Sequence, residues 1–269
     1  MIFDTHAHYD DEAFDGDRPE LLERLKEAGV GAVMNVAASL GSCRSTLKLA
    51  EAYDWIYGAM GVHPSETGEL DQEGLQWIKE QCGRRKIKAV GEIGLDYYWE
   101  EPAHDIQKKW FEAQMDLARQ VKLPVIIHSR DAAKDTLDMM KAAKAGDIGG
   151  VVHCFSYTRE MAREYLNMGF FLGIGGVLTF NNARKLKEVD VYKRQMNRPW
   201  WQGSMRRTRC IFPRGPGSIR YITKQKACPF PSRVFTTFSH SHVVGRIKTT
   251  RTYISNCTCL LFLTINYIS

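Results

Sequence analysis

Acidic residues are missing from the last part of this 269-residue chain. All 31 Asp and Glu lie within residues 1–190, whereas residues 191–269 contain none. The first part carries 23 of the 37 Lys and Arg and has a net charge of −8, and the remaining 14 give the second part +14. Two parts of such different composition are not expected to belong to one folded protein.

Long hydrophobic runs and paired cysteines are also absent. No apolar run reaches the roughly 18 residues of a membrane helix, and MIFDTHAH has neither the basic nor the apolar region of a signal peptide. The seven cysteines are odd in number and have no paired ligand spacing, which argues against a disulfide framework and a zinc ribbon. We expect a cytoplasmic protein that makes no membrane contact. Its 44% hydrophobic content suffices for a sizeable core.

Residues 1–190 alternate short apolar segments with amphipathic helical patterns, as repeated βα units do. Seven segments have the strand pattern: MIFDTH, VGAVMNVAA, IYGAMGVH, IKAVGEIGL, LPVIIHS, GVVHCFS and FFLGIGG. This order predicts an α/β fold, a TIM-type (β/α)8 barrel. The eighth strand is due after NNARKLKEV, where neither periodicity nor alternation resumes, so the barrel lacks that strand as written.

The long segment after the fourth strand has a helical pattern of apolar residues. Five positions recur at helical spacing and are predicted to pack on the barrel: Ile106, Trp110, Ala113, Leu117 and Val121.

Polar side chains fall at or near the carboxyl ends of four strands. They are His6 and His8 on the first, Glu92 on the fourth, His128 on the fifth and His153 on the sixth. Each alone would be read as a satisfied polar residue. Because the carboxyl ends of barrel strands form one face, the five together predict a site for one or two divalent metals, with the carboxylate able to bridge a pair.

Five motifs in this order, DTHAH, GVHPSE, GEIGLDYYW, IHSRDA and HCFS, resemble the TatD family of metal-dependent hydrolases over about residues 1–190. The resemblance implies a barrel with a two-metal site that cleaves phosphodiesters, typically as a deoxyribonuclease with exonuclease character. It further implies that His6 and His8 hold one metal, that His128 and His153 hold the other, and that Glu92 bridges them. The implied substrate is DNA, single-stranded or at 3′ ends.

Three further residues have candidate roles in that chemistry. A metal-bound water would supply hydroxide, and His63 could hydrogen-bond phosphate or support the metal ligands. Arg130 is a candidate phosphate clamp, although it could instead pair with the nearby Asp131 or Asp135. Asp96, on the same strand face as Glu92, could orient a ligand.

The metal and the aromatic residues each have two readings. Imidazole ligands favour zinc, manganese or iron, whereas the resemblance implies magnesium, so the identity stays open among Mg, Mn and Zn. Tyr97, Tyr98 and Trp99 could stack bases, or could simply pack at the end of a strand. Neither oligomeric state nor cleavage polarity is set by the sequence.

The sequence departs from the family pattern at the eighth strand. The family has one more ligand there, an aspartate in a motif close to TDxPY, and this chain has no acid after Asp190. We expect VYKRQ to mark a frameshift or assembly junction, with residues 191–269 an out-of-frame tail; a basic nucleic-acid-binding arm is the competing reading. The other functions considered are an amidohydrolase or lactonase acting on a small ester or amide, and an inactive truncated barrel.

Overall fold

The computed structural model describes residues 2–196. Seven parallel strands form one sheet in the order β1 to β7, each paired with the next in sequence. The strands are β1 Ile2–Ala7, β2 Val30–Val36, β3 Ile56–Met60, β4 Ile87–Asp96, β5 Val125–Arg130, β6 Gly150–Val152 and β7 Phe171–Leu172. The fold class is confirmed as TIM-type, with seven barrel strands in the described part.

A helix follows each strand, as parallel pairing requires. The helices are α1 Arg18–Glu27, α2 Leu40–Ala52, α3 Gln72–Gln81, α4 His104–Val121, α5 Ala133–Ala142, α6 Arg159–Asn167 and α7 Arg184–Met196. Of the helices in residues 2–196, none has the length and apolar character that crossing a membrane demands.

All seven predicted strands are present, but four end earlier than the sequence pattern indicates. β2 ends at Val36, two residues before the predicted end. β3 ends at Met60, and His63 instead caps a short 3-10 helix, Pro64–Glu69, by accepting from the backbone N–H of Ser65. β6 ends one residue before His153, where Cys154 takes the left-handed conformation. β7 has only two residues. The site residues therefore lie at the strand ends and in the turns just beyond them.

The central strand β4 carries apolar residues on one face and two carboxylates on the other. Nearly every residue of β4 is buried, as expected for a parallel sheet covered on both faces. Ile93 and Leu95 belong to one hydrophobic core together with Trp110 of α4. Since alternate residues face opposite sides, Glu92 and Asp96 lie on the other face, among the histidines.

Helix α4 packs with a different rotation from the one predicted. Trp110 and Leu117 are buried as expected, but Ile106 is 37% exposed, so its predicted packing on the barrel is wrong. The inner position is taken by Gln107, and Gln114 lies seven residues further along, close to the same face. The helix thus turns two buried amides, rather than an apolar row alone, toward the sheet.

These two amides bind the backbone at strand ends. Gln114 accepts from the N–H of Val62 (2.7 Å) and donates to its carbonyl oxygen (3.1 Å). Gln107 accepts from the N–H of Asp96 (2.9 Å) and donates to its carbonyl oxygen (3.0 Å). The backbone just before His63 and the end of β4 at Asp96 are therefore fixed by side chains of α4.

We expect Gln114→Leu to lower the free energy of unfolding by roughly 2–4 kcal/mol, because the buried N–H and C=O of Val62 would both lose their partner. Urea denaturation measures the change. Gln120→Leu on the exposed side of the same helix is the matched control, with an expected change within about 0.5 kcal/mol. Equal stabilities for the two variants would show that the Gln114 bonds contribute little.

Candidate metal centre

The side chains of His6 on β1, His8 just after β1 and Glu92 on β4 lie close together. The Nε2 atoms of His6 and His8 lie 3.1 Å apart, and they lie 3.3 Å and 3.8 Å from Oε2 of Glu92. His6 and Glu92 are buried, whereas 29% of the His8 side chain is exposed. Two ring nitrogens and a carboxylate oxygen face a common point, as the ligands of one cation do.

The other oxygen of Glu92 faces β5 and β6. Oε1 lies 3.0 Å from Nδ1 of His128 and 3.7 Å from Nε2 of His153. Nε2 of His128 is in turn 3.0 Å from Oδ2 of Asp96. Glu92 therefore contacts His6 and His8 through Oε2. Through Oε1 it contacts His128 and His153.

The protonation of His8 follows from its partner. Its Nδ1 is 2.7 Å from the carbonyl oxygen of Val36, which can only accept, so Nδ1 carries the proton. In this tautomer the lone pair of Nε2 faces His6 and Glu92. A backbone carbonyl that fixes the ring and tautomer in this way is the usual support for a metal-binding histidine.

His63 has the opposite tautomer. Its Nδ1 accepts from the N–H of Ser65 (3.2 Å), so the proton of the neutral ring is on Nε2. By position His63 also groups with Glu92 and His128 as a possible cation site. With Nε2 protonated, however, the ring is better suited to donate a hydrogen bond than to bind a cation.

Three imidazoles of the site, those of His6, His63 and His153, are held neutral. Burial lowers the pKa of His6, and burial with repulsion from His6 holds the pKa of His153 well below its usual range. Burial and repulsion from His128 lower the pKa of His63 to about 3. Neutral imidazole is the form that binds metals, so this set suits a cation.

Glu92 and His128 provide the charges of the site. Burial opposes ionisation of Glu92, but its contacts with the surrounding histidines, including a hydrogen bond from His128, keep its pKa well below the usual value. Burial likewise opposes protonation of His128, yet its bonds to Asp96 and Glu92 raise its pKa to about 9. The ring of His128 lies between the carboxylates of Glu92 and Asp96, 3.0 Å from each.

His6 and His153 show that the residues present fit a metal. Their rings stack with centroids 3.5 Å apart, although β1 and β6 are not neighbours in the sheet. The Nδ1 atoms of both are buried and have no hydrogen-bond partner among the described residues. Four imidazoles and a buried carboxylate with few competing partners form a donor set suited to divalent transition metals.

The sequence-predicted residues are thus brought together, with differences in detail. His6, His8, Glu92, His128 and His153 all meet at this centre. Two overlapping groups of possible ligands share Glu92, and they place His153 with His6 and His128 with His63. The contacts of the two Glu92 oxygens instead group His6 with His8 and His128 with His153, which is the grouping that the resemblance implies. Their roles as ligands stay a prediction.

Asp96 and Arg130 lie beside this centre. Asp96 contacts His128 through Oδ2. Its backbone lies opposite that of Arg130 in the register of β4 and β5. The guanidinium carbon of Arg130 lies 3.7 Å from the ring centroid of Tyr98. In residues 2–196 no carboxylate lies within salt-bridge distance of Arg130, including Asp131.

The chain resembles known proteins over the same region. The family model for TatD related DNases matches residues 3–197. The chain belongs to the TatD family of metal-dependent hydrolases. Its hydrolase class and metal dependence follow from this membership.

Relatives of this TatD-family chain include the metal-dependent hydrolase YabD of Bacillus subtilis, 43% identical over 189 residues, which cover 70% of this chain and 74% of YabD. The 3′-5′ ssDNA/RNA exonuclease TatD of a Rahnella species is 31% identical over 176 residues, 65% of this chain and 67% of that protein. The crystal structure of the TatD homologue YjjV from Escherichia coli superimposes with a TM-score of 0.65 at 34% identity, covering 70% and 73% of the two chains.

Three contributors to the TatD-type site escaped the sequence analysis. The carbonyl of Val36 and the amides of Gln107 and Gln114 position site residues without touching the centre's ligand atoms. A backbone carbonyl leaves no trace in a sequence. The two glutamines did leave one, since they interrupt the apolar face of α4 at a spacing of seven residues.

Proposed function

We propose that this chain is a metal-dependent phosphodiesterase acting on nucleic acid, with His6, His8, Glu92, His128 and His153 as ligands of two divalent metal ions. The observation that carries the proposal is the position of Glu92, whose two oxygens face different groups of histidines. A bridging carboxylate of this kind is the feature that lets one site hold a metal pair. Mg, Mn and Zn are the candidate ions.

Divalent ions bound to these ligands would supply an activated water and offset the charge that develops on the phosphate oxygens. The residues then have separate tasks. His8, fixed by Val36, and Glu92 orient the donor atoms, while the Nε2–H of His63 can donate to a phosphate oxygen. Asp96 holds the ring of His128 in place. This division requires no protein nucleophile.

DNA is the proposed substrate, in single-stranded form or at a 3′ end. The support is the Rahnella relative, whose name describes a 3′-5′ exonuclease of single-stranded DNA and RNA. A hydrolase of small esters or amides is the second candidate. In that case a lysine, often carbamylated, is the expected bridge, whereas Glu92 holds the central position here. A cytoplasmic location stays a prediction from the sequence.

The test is metal-dependent release of nucleotides. We expect EDTA-treated protein to be inactive on end-labelled single-stranded DNA, and Mg, Mn or Zn to restore mononucleotide release. Labels at the 5′ and 3′ ends distinguish the two polarities, and an RNA strand of the same sequence tests the sugar. Metal binding by calorimetry without any nucleotide release, combined with hydrolysis of a small ester or lactone, would replace this proposal with the second candidate.

We also propose that residues 1–190 form the hydrolase barrel and that residues 191–269 are an out-of-frame translation. The absence of any acid after Asp190 supports this, as does the end of the family match at residue 197. Sequencing the source DNA across this region and translating all three frames tests it. Another frame should encode an apolar strand ending in aspartate, and the protein made from that frame should hydrolyse DNA faster than the chain as written.

A further inference from the structure

An exposed aromatic pair lies just beyond β4. Tyr98 is 53% exposed and Trp99 37%, and their rings meet edge to face with centroids 4.7 Å apart. Large aromatic side chains usually lose most of their apolar surface to the core when a protein folds. Two adjacent rings that stay exposed beside a candidate active site therefore suggest a binding role.

The preceding residue, Tyr97, shows what packing would look like here. Its ring stacks on that of His104, with centroids 3.7 Å apart, and its hydroxyl donates to Asp135 (2.8 Å). Tyr97 is therefore engaged with α4 and α5. Tyr98 lies in the bend that follows, where its ring is exposed and contacts Arg130. Of the two roles considered for these aromatic residues, packing therefore applies to Tyr97, whereas base stacking stays a candidate for Tyr98 and Trp99.

Arg130 completes the exposed group. Its guanidinium carbon is 3.7 Å from the centroid of the Tyr98 ring, a cation–π stack. A stacked guanidinium keeps its N–H donors at the edge of the plane, where they can meet a ligand. The pairing of Asp96 with Arg130 across β4 and β5 sets this position. Arg130 therefore stacks on Tyr98 and does not pair with Asp131.

The group is connected to the candidate metal centre through one carboxylate. Oδ1 of Asp96 accepts from the backbone N–H of Tyr98 (3.0 Å), and Oδ2 contacts Nε2 of His128 (3.0 Å). A ligand on Tyr98 would therefore lie next to whatever is bound at the histidines.

We propose that Tyr98, Trp99 and Arg130 form a platform on which one unpaired nucleobase stacks, adjacent to the phosphodiester at the metal centre; this rests on the proposed nuclease function. Aromatic rings and guanidinium planes are the surfaces on which single-stranded bases stack, largely independent of sequence. Exposed Glu100 and Glu101 follow Trp99 and would repel further phosphates, so the platform receives a single base.

The test measures stacking without hydrolysis. The full chain in EDTA is titrated into single-stranded oligodeoxythymidylate carrying 2-aminopurine at the 3′ end, the 5′ end or an internal position, with RNA strands in parallel. Stacking quenches the 2-aminopurine fluorescence. We expect quenching at one position, and about tenfold weaker binding for Tyr98→Ala. Tyr98→Phe keeps the ring and should bind as the unaltered chain does.

Arg130→Gln should weaken binding severalfold. Its matched control is Arg44→Gln. This change removes the guanidinium of Arg44 on α2 from the ring of Trp77 on α3 and should leave DNA binding unchanged. The platform is refuted if the unaltered chain gives no quenching, or if Tyr98→Ala, with an unchanged circular dichroism spectrum, quenches like Tyr98→Phe. Quenching that persists in a protein unable to release nucleotides with any metal would reject the nuclease function while retaining base binding.

Discussion

Glu92→Gln should lower metal-dependent hydrolysis by about 10³-fold or more and should weaken metal binding throughout the site. The carboxylate is buried and contacts both groups of histidines, whereas a neutral amide offers no charge to either. Loss of several kcal/mol of charge stabilisation by the metals corresponds to at least this change in rate. Nucleotide release measures the rate, and calorimetry measures the number of metals bound.

Two comparisons make this result specific. Glu164→Gln removes a partly exposed carboxylate that pairs with Lys141 and belongs to neither group of possible ligands, so it should leave both measurements unchanged. His8→Ala should have a smaller effect than Glu92→Gln, because His8 is partly exposed and contacts only one oxygen of Glu92. Full activity and unaltered metal stoichiometry in Glu92→Gln would rule out a bridging role.

Gly94→Ala should lower the free energy of unfolding by roughly 3–5 kcal/mol and should also impair metal binding. Gly94 has a φ of +148°, and an added Cβ would overlap the carbonyl oxygen of His128 and lie 2.8 Å from its carbonyl carbon. These atoms are backbone and belong to the paired strand, so β4 and β5 would have to separate. Glu92 and His128 would then move apart.

Gly169→Ala separates this clash from simple backbone strain. Gly169 also has a positive φ, +85°, but nothing lies within 4 Å of an added Cβ. Its cost should therefore be only about 1–2 kcal/mol, and metal binding should be unaffected. Urea denaturation and calorimetry on the two variants measure both effects. Equal destabilisation by the two substitutions would show that contact with His128 is unimportant.

The barrel strands and their polar ends could be predicted because parallel strands covered on both faces are almost wholly apolar. Against such a background Glu92 and His128 stand out, and strand ends share one face of the fold. The same reasoning placed His63 near the centre. Its protonation could not be read from the sequence, since it depends on the backbone N–H of Ser65 in a turn that the strand pattern did not anticipate.

The rotation of α4 was misjudged for a related reason. Ile106 is apolar and Gln107 is polar, so a pattern based on hydrophobicity turns Ile106 inward. In the fold, the backbone groups of Asp96 need partners, and Gln107 supplies them. A requirement set by the polar backbone of a neighbouring strand outweighed the apolar preference of one side chain.

The contact between His6 and His153 links two distant points of the sequence. Between them lie the strands β2 to β5, so the donor set exists only after nearly the whole described sheet has assembled. Contacts of such long sequence separation form late in folding, after the loop-closure entropy of the intervening chain has been lost. A nascent chain still short of residue 153 therefore has no complete site to load, and metal uptake would report that folding has finished.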